Sequence, residues 1–490
     1  MNQTLLEQYM AVTSTNRLYQ RNQAQWEYLL ESYMGGIEYK RTGYLTRYVN
    51  ESSEEYAARV ASTHLENHCK SVVSTYVSFL FREEPDREFG SIEYDPMLKD
   101  FLEDADLDGR SFDNFMKEAS VWNSVFGAVW IMVVKPNMNT VTLGEEIELG
   151  VRPYLSLLTP MAVMDWTWLR EPNGRYKLSY LKYAEEANDT FSTIKEWTET
   201  TITTYTVDHK NKAVTAEEIT VNGLGKIPAV IAYNHRSPVR GLGVSDIADI
   251  ADAQKFIYNL TSEVEQSVRV NGHPALCKTV GTEASAGAGA IIQMEDNLDP
   301  GLKPYMLSVS TDISSIYGAI KHSAEAIDKM ANTGSIRSTE AQRMSGVAQE
   351  QEFQLLNAKL SEKADNLELA EEHIWELYCL YQGKIWDGEI DYPGSFNIRD
   401  TSMEIDRLVK ARQAATDPRV LQVIDHELLE LLGEDADMIR EEVDPSLVPA
   451  QPPFDIHVMV NPETGEEFYA RTEAEHLRYA ELGYVHKEED

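Results

Sequence analysis

Cysteine is scarce: three in 490 residues, with Cys69, Cys277 and Cys379 far apart. That scarcity excludes a disulfide framework and any paired Cys-x-x-Cys metal or redox motif, and it points to assembly in a reducing cytosol. Basic residues are also few, since 44 Lys and Arg face 81 Asp and Glu, a formal charge of −37 at pH 7. A protein that grips DNA neutralises phosphates with its own cations, so this balance disfavours tight DNA binding. Long apolar runs are missing too. The longest, Val125 to Val134, is about half of what a bilayer-spanning helix needs. The opening from Met1 to Gln8 carries neither the basic region nor the apolar stretch of a secretory signal. No membrane partner is expected.

Motifs that carry chemistry are absent or broken. Asp104, Asp106, Asp108 and Gly109 open like a calcium loop, but Phe115 stands at the twelfth position, where a bidentate Glu is required. The cluster reads instead as an acidic cap on a helix starting near Phe112. His64 and His68 fall four apart within one predicted helix, with Glu66 displaced from its place in His-Glu-x-x-His. Asp165 beside Trp166 and Trp168 has the residue types of a carbohydrate site, yet aromatics in a strand are more often core. Gly225-Lys226 is followed by Ile227 rather than Ser or Thr, so there is no ATP loop. Neither Gly-x-Ser-x-Gly nor a compelling carboxylate pair is present. The expectation is a protein that is not an enzyme, with no metal and no cofactor.

What the sequence does contain is a large globular chain, 42% apolar and 9% aromatic, long enough for about three domains. Its first half reads as α+β. Apolar periodicity predicts helices over Leu5 to Met34, Ser53 to Phe81, Met97 to Leu102 and Phe112 to Ser124, then a buried strand from Val125 to Val134. Further strands are predicted at Tyr154 to Leu158, Ala162 to Trp168, Tyr176 to Ala184, Thr190 to Trp197, Thr201 to Val207 and Ala213 to Val221.

The segment from Val244 to Gln382 reads as a stalk. Gly241, Gly243 and the N-cap candidate Ser245 announce a helix whose apolar face is Ile247, Ile250, Ile257, Leu260, Val264 and Val268. Asp246, Asp249, Asp252, Lys255, Glu263 and Glu265 fall on the opposite, solvent-facing side. Asn271-Gly272-His273-Pro274 stops it. Two short strands are expected next, Ala275 to Val280 and Ile291 to Met294, joined by a Gly/Ala-rich loop. A second helix starts at Thr311 or Asp312, with Ile313, Ile316, Ile320, Ala324 and Ile327 on one stripe. A polar loop from Asn332 to Thr339 precedes a helix from Ser345 to Gln382, about 57 Å long at 1.5 Å per residue. Its near-heptad spacing suits packing between molecules. Helices at Ser402 to Ala415 and Arg419 to Leu432 lead into an acidic C-terminal segment. From His235 to Met344, ten basic residues nearly balance thirteen acidic ones, whereas from Val420 to Asp490 four basic residues face nineteen acidic.

This ordered set resembles the portal proteins of tailed bacteriophages. The resemblance covers most of the chain and is carried by Gly35-Gly36, Tyr44-Leu45-x-Arg47, Glu51-Ser52, Tyr56-x-x-Arg59, Asn67 and Phe81-Arg82-x-x-Pro85. Further along it rests on Trp122-x-x-x-Phe126-Gly127, Gly241-x-Gly243-x-Ser245-Asp246 and Ser338-Thr339-x-Ala341. It implies an α+β portal fold: an N-terminal wing (1–243), stem helix 1 (244–269), a small β-containing clip (270–310), stem helix 2 (311–330) and a tunnel loop region (331–344). A long wing helix and return (345–400) and α-helical crown (401–448) would follow, while the acidic segment 449–490 matches no family pattern.

The resemblance also implies a dodecameric ring at one capsid vertex of the virion, assembled in the host cytoplasm. DNA would be packaged through it by the terminase motor, retained and ejected. Implied partners are further copies of the chain, the terminase large subunit, the head-to-tail adaptor, the major capsid and scaffolding proteins, and double-stranded DNA by weak non-specific contact. Lys321, Lys329, Gly334, Arg337, Ser338 and Arg343 would lie along the DNA channel. There the cations would touch phosphates transiently or pair with neighbouring subunits' carboxylates. The rival expectations are another structural virion subunit, coat or adaptor, and an acidic metal-dependent hydrolase using Asp104, Asp106 and Asp108.

Overall fold

A computed structural model describes residues 3–136, 142–188, 190–272, 275–277, 299, 305–307, 312–337, 346–396, 401–415, 418–431, 457–460, 467–470 and 485–486. The chain divides into two compact units, Met1–Asn397 and Ile398–Asp490.

The first unit opens with helices α1 (Gln3–Val12), α2 (Arg17–Met34), α3 (Gly36–Arg41), α4 (Ser53–Ser62) and α5 (His68–Leu80). Two helices expected to be continuous are each broken by a cap. Asn16 is extended, and its side chain accepts from the Tyr19 N–H at 2.7 Å, starting α2 afresh. Asn67 does the same for α5 by accepting from Lys70 N–H at 2.8 Å. His64 therefore lies in a connection, not on a helix with His68. The start of α4 carries a full capping box between Ser52 and Glu55.

Next come β1 (Asp86–Glu88), α6 (Leu98–Glu103), α7 (Phe112–Phe126), β2 (Ala128–Val134), α8 (Leu143–Leu149), β3 (Tyr154–Leu158), β4 (Val163–Arg170), β5 (Tyr176–Ala187), β6 (Phe191–Thr198), β7 (Thr201–Asp208), β8 (Ala213–Val221) and β9 (Ala229–Tyr233). The buried strand starts at Ala128 rather than Val125, because α7 runs on to Phe126 and ends at Gly127 with φ +89°. It is the centre of an antiparallel sheet ordered β3-β2-β9. Both its faces are covered, which is why it reads as an unbroken apolar run. Val129, Ile131 and Val133 join the main helical core, whereas Trp130 and Met132 join the core beneath a second sheet. That second sheet is a five-stranded antiparallel meander in chain order from β4 to β8.

The unit closes with β10 (His235–Arg236), β11 (Gly243–Val244), α9 (Ala248–Gly272), β12 (Ala275–Cys277), β13 (Tyr305–Leu307), α10 (Ile313–Met330), α11 (Gly334–Arg337), α12 (Gly346–Tyr381) and β14 (Glu389–Asp391), which pairs with β1. The long helix α12 has 36 residues, about 54 Å. Its stripe from Leu356 through Leu360, Leu367 and Ile374 to Leu377 is buried in its own chain, so its length serves the unit's own core. Trp375 is fully buried there and meets Phe89, Phe101, Phe112, Tyr378 and Trp386, with ring centroids 5.0–6.0 Å apart.

The second unit holds α13 (Thr401–Ala414) and α14 (Pro418–Leu431), both within a residue of expectation. It also holds a sheet that the sequence pattern did not signal after Pro449: β15 (His457–Val460), β16 (Glu467–Ala470) and β17 (Val485–His486), ordered β16-β15-β17. These strands are two to four residues long, too short to declare a period. Among the described residues no helix is long and apolar enough to cross a membrane.

The aromatic cluster generates a stability prediction. Trp375→Ala should cost about 3–5 kcal/mol, read as a lower urea midpoint, whereas an unchanged midpoint would show that the cluster does not hold the unit together.

Candidate functional site

Two of the sequence signatures, Trp122-x-x-x-Phe126-Gly127 and Gly241-x-Gly243-x-Ser245-Asp246, meet in space. A Cβ on Gly243 would fall 1.8 Å from the Gly127 carbonyl oxygen, so these two backbones abut with no room for a side chain. Asn234 ties the contact from both sides: its backbone N–H donates to Gly127 O at 2.8 Å, and its side-chain amide donates to Val244 O at 3.0 Å. Asp246 N–H donates to Ser124 O at 2.9 Å. Ser245 is not the N-cap. Its hydroxyl donates to Ser124 O and accepts from Ile247 N–H at 3.1 Å, and α9 begins only at Ala248.

Asp246 was expected on the solvent face; it is buried. Its carboxylate lies 2.7 Å from Lys363 Nζ, 3.0 Å from Lys359 Nζ and 3.6 Å from His235 Nε2, with its side chain wholly inaccessible. Lys363, itself buried, also donates to Ser124 Oγ at 2.8 Å and to Asn234 Oδ1. Lys359 donates to the Tyr76 hydroxyl at 3.1 Å, and that hydroxyl donates to the Ala331 carbonyl just past α10. His235 Nδ1 faces Glu362 at 3.0 Å. Burial alone would raise the Asp246 pKa, but Lys363, the nearby His235 imidazole and Lys359 together hold it well below the usual carboxylate range. The Asp246 carboxylate, 3.6 Å away, raises the pKa of His235 against its burial. Sequence reasoning missed Lys359 and Lys363, yet a signal existed: two lysines at i,i+4 beside the apolar stripe of a long helix.

From this anchor α9 and α10 run as an antiparallel pair. Ile247, Ile250, Ala251 and Ile257 near the start of α9 share one core with Ile327 and Ala331 at the end of α10. The N-terminal signatures clamp α9 along its length. Arg59 donates to Ser262 Oγ at 3.0 Å and pairs with Glu51 at 2.7 Å, both side chains nearly inaccessible. Tyr48 OH donates to Glu263, and Asn259 donates to Tyr44 O. Further from the anchor the pair exposes apolar residues, Val268 at 53% and Tyr317 at 56%. At the far end β12 pairs with β13, Ala275 opposite Leu307 and Cys277 opposite Tyr305. The expected partner strand Ile291 to Met294 lies outside the described residues. Tyr305-Met306-Leu307, an apolar β-forming triplet following Pro304, takes the pairing.

After α10, residues 332–337 of the expected polar loop form a turn and a short helix. Asn332 adopts φ +56°, Thr333 is buried, and Gly334–Arg337 form the short helix α11. Arg337 pairs with Asp328 of its own chain at 3.1 Å, each side chain 16% exposed. Its charge adds to burial in lowering the pKa of nearby His68. Of the other expected channel residues, Lys321 is exposed on α10 beside Glu325 at 3.4 Å, Lys329 is exposed in the last turn of α10, and Gly334 opens α11. Ser338 and Arg343 lie outside the described residues.

The acidic triplet is taken up locally. Asp104 accepts from Gly109 N–H at 2.9 Å and pairs with Arg152, while Asp106 accepts from Asp108 N–H at 3.0 Å and pairs with Arg110 at 2.7 Å. Among the described residues no group of three His, Cys, Asp or Glu is placed to hold a metal ion.

Removing Asp246 leaves Lys363 buried without its counter-charge, so Asp246→Ala should destabilise the protein by about 3–5 kcal/mol; a loss of the size seen at exposed ion pairs would contradict the burial argument. Because the folded pKa of Asp246 is depressed, its contribution is present at neutral pH and is lost as pH falls through that folded value. The His235 pKa is raised, so its contribution is full below about pH 6.5 and disappears as pH rises through its folded pKa. Urea midpoints of the wild type should therefore fall between slightly acid and alkaline pH, and His235→Gln should flatten that fall; an equally steep fall in the variant would assign it elsewhere.

No family model and no curated protein matches the chain. Among solved structures, the chain is similar to one from the neck of an empty gene transfer agent (GTA) particle computed with C6 symmetry, with TM-score 0.45 and 12% identity, over 82% of this chain and 99% of that one. It is similar to a chain of the virion of a native GTA particle, with TM-score 0.43 and 12% identity, over 84% and 99% of the two chains. It is also similar to a chain of the neck of a native GTA particle computed with C12 symmetry, with TM-score 0.42 and 12% identity, over 83% and 99%.

Proposed function

We propose that the chain is the portal subunit of a tailed-phage-like particle. Copies form a ring at one capsid vertex, and DNA passes through its channel inward during packaging and outward at ejection. The observation that carries this reading is the two-helix hairpin, α9 and α10, pinned at its base by the buried Asp246 cluster to α12 and capped at its far end by a β-pair. In this assignment α9 and α10 are the stem, β12 and β13 belong to the clip, and residues 331–344 form the tunnel region. The helix α12 spans the wing, and α13 and α14 belong to the crown.

Three physical features support it. The stem's outward apolar residues, Val268 and Tyr317 among them, suit burial against a neighbouring copy. The strong excess of acid over base keeps phosphates from adhering, so duplex DNA slides rather than sticks. The exposed Lys321 and Lys329 offer only scattered, transient phosphate contacts. The chain acts as a conduit rather than a catalyst. Nucleotide hydrolysis belongs to a terminase large subunit docking at the clip, where the head-to-tail adaptor later takes its place, while capsid and scaffolding proteins surround the ring during assembly.

Native mass spectrometry of the purified chain tests the reading. The expected result is a closed oligomer near twelve copies, and a stable monomer at micromolar concentration would contradict it.

A further inference from the structure

A cleft of about 470 Å³ lies between β9, the start of β5 and the flank of α12. Lys226, Arg236 and Arg240 stand in its lining beside Val230, Ala370 and Leu377, and no carboxylate joins them, although acidic residues outnumber basic ones almost two to one in this chain. Among the described residues none of the three cations is ion-paired. Glu362, one turn before Asn366 of the lining, is taken up by His235. Three like charges without a counter-charge repel one another, and an anionic ligand relieves that repulsion.

The two arginines are carried on a fixed support. They lie on the β10–β11 hairpin, whose loop is tied on both sides: Trp166 Nε1 donates to Arg240 O at 3.3 Å, and Gly241 N–H donates to the Tyr233 hydroxyl at 3.1 Å. Ser237 closes the turn by donating to Val239 O at 3.1 Å and accepting from Val239 N–H at 3.0 Å. Gly241 takes φ +84°, and a Cβ there would fall 2.5 Å from Trp166 Nε1, so the loop closes only with glycine at this point. The Arg240 guanidinium lies 3.8 Å from the centre of the Tyr176 ring, and that of Arg236 lies 5.6 Å from the Tyr233 ring. Both rings belong to the same lining.

That pairing of charge and ring selects the ligand. A guanidinium meets phosphate through two parallel hydrogen bonds, and guanidinium planes and aromatic rings are the surfaces on which nucleobases stack. Tyr176 is 45% and Leu369 38% exposed, so the lining offers apolar area for a flat ring to cover. The volume is that of a small-molecule site. A lipid surface or a long nucleic acid would bring many phosphates against a chain of charge −37, whereas a single nucleotide meets only the cleft.

We infer that this cleft binds a nucleoside di- or triphosphate, with its phosphates on Lys226, Arg236 and Arg240 and its base against Tyr176 and the apolar flank of α12. The site is complete within one subunit, so it stands or falls independently of the ring.

Isothermal titration calorimetry of the full chain with ATP tests it. The expected result is saturable binding with a dissociation constant below about 1 mM, weakened at least about tenfold by Arg236→Ala with Arg240→Ala. Both side chains are exposed, so thermal melting of the ligand-free variant should match the wild type. Leu369→Asp, which sets a carboxylate in the lining, should weaken ATP to a similar degree. Adenosine and tripolyphosphate, each keeping half of the contacts, should bind at least about tenfold more weakly than ATP. An absence of saturable heat with ATP, or binding that both variants leave unchanged, would overturn the site. Adenosine or tripolyphosphate held as tightly as ATP would overturn the nucleotide assignment. A single-stranded DNA oligonucleotide of about fifteen residues held more tightly than ATP through the same arginines would also overturn it, by assigning the cleft to nucleic acid.

Discussion

A single buried carboxylate sets the constraint on which the first unit depends. Asp246 has no solvent to stabilise its charge, so the structure supplies Lys359 and Lys363 from one helix and His235 from a short strand pair. An isolated buried charge costs several kcal/mol, and this cost is offset only if all the partners arrive together. The requirement fixes where the hairpin leaves the body, because Asp246 sits just ahead of α9. It fixes the path of α12, because the two lysines must face the same point. It also demands the close approach of Gly127 and Gly243, which brings Ser124 O to the Asp246 N–H. Such a network is a weak source of net stability, and its use here is positional.

The other end of the same network reaches the hairpin's return. Lys359 holds the Tyr76 hydroxyl, and Tyr76 holds the Ala331 carbonyl where α10 ends. Both legs of the hairpin are thus tied to α12 through hydrogen bonds rather than through apolar contact alone. Beyond the anchored region the legs expose apolar side chains that a lone subunit leaves in water. An anchored base and an apolar, exposed shaft are what the proposed ring would require of each stave of its wall.

Much of this was legible in the sequence. The strands from Tyr154 to Val221 and the helices around the stalk follow from period and turn residues, because amphipathic elements announce which side they bury. The breaks at Asn16 and Asn67 were missed because apolar period continues across them, although an Asn cap is a local stop signal. Asp246 was misplaced for a deeper reason: period assigns every charge on a helix to solvent, and only tertiary pairing brings one inside. Arg337 and Asp328 close the turn after α10 by a contact between side chains nine residues apart, which composition alone reads as an open polar loop. The β12–β13 pairing skips residues 278–304, and no local rule selects among distant short apolar triplets. The portal resemblance came from the order of signatures, and the structure supplies a physical reason for several of them, since Tyr44, Glu51 and Arg59 clamp α9 while Gly127 and Gly243 seat its root.

The central claim is that the anchored hairpin lines a channel. An electron cryomicroscopy map of the assembled chain tests it most directly, by showing where α9 and α10 stand relative to the symmetry axis. The account predicts that both helices surround the central hole, with Lys321 and Lys329 nearer the axis than the five-stranded sheet. A ring with that sheet at the lumen and the hairpin on the outer rim would contradict it.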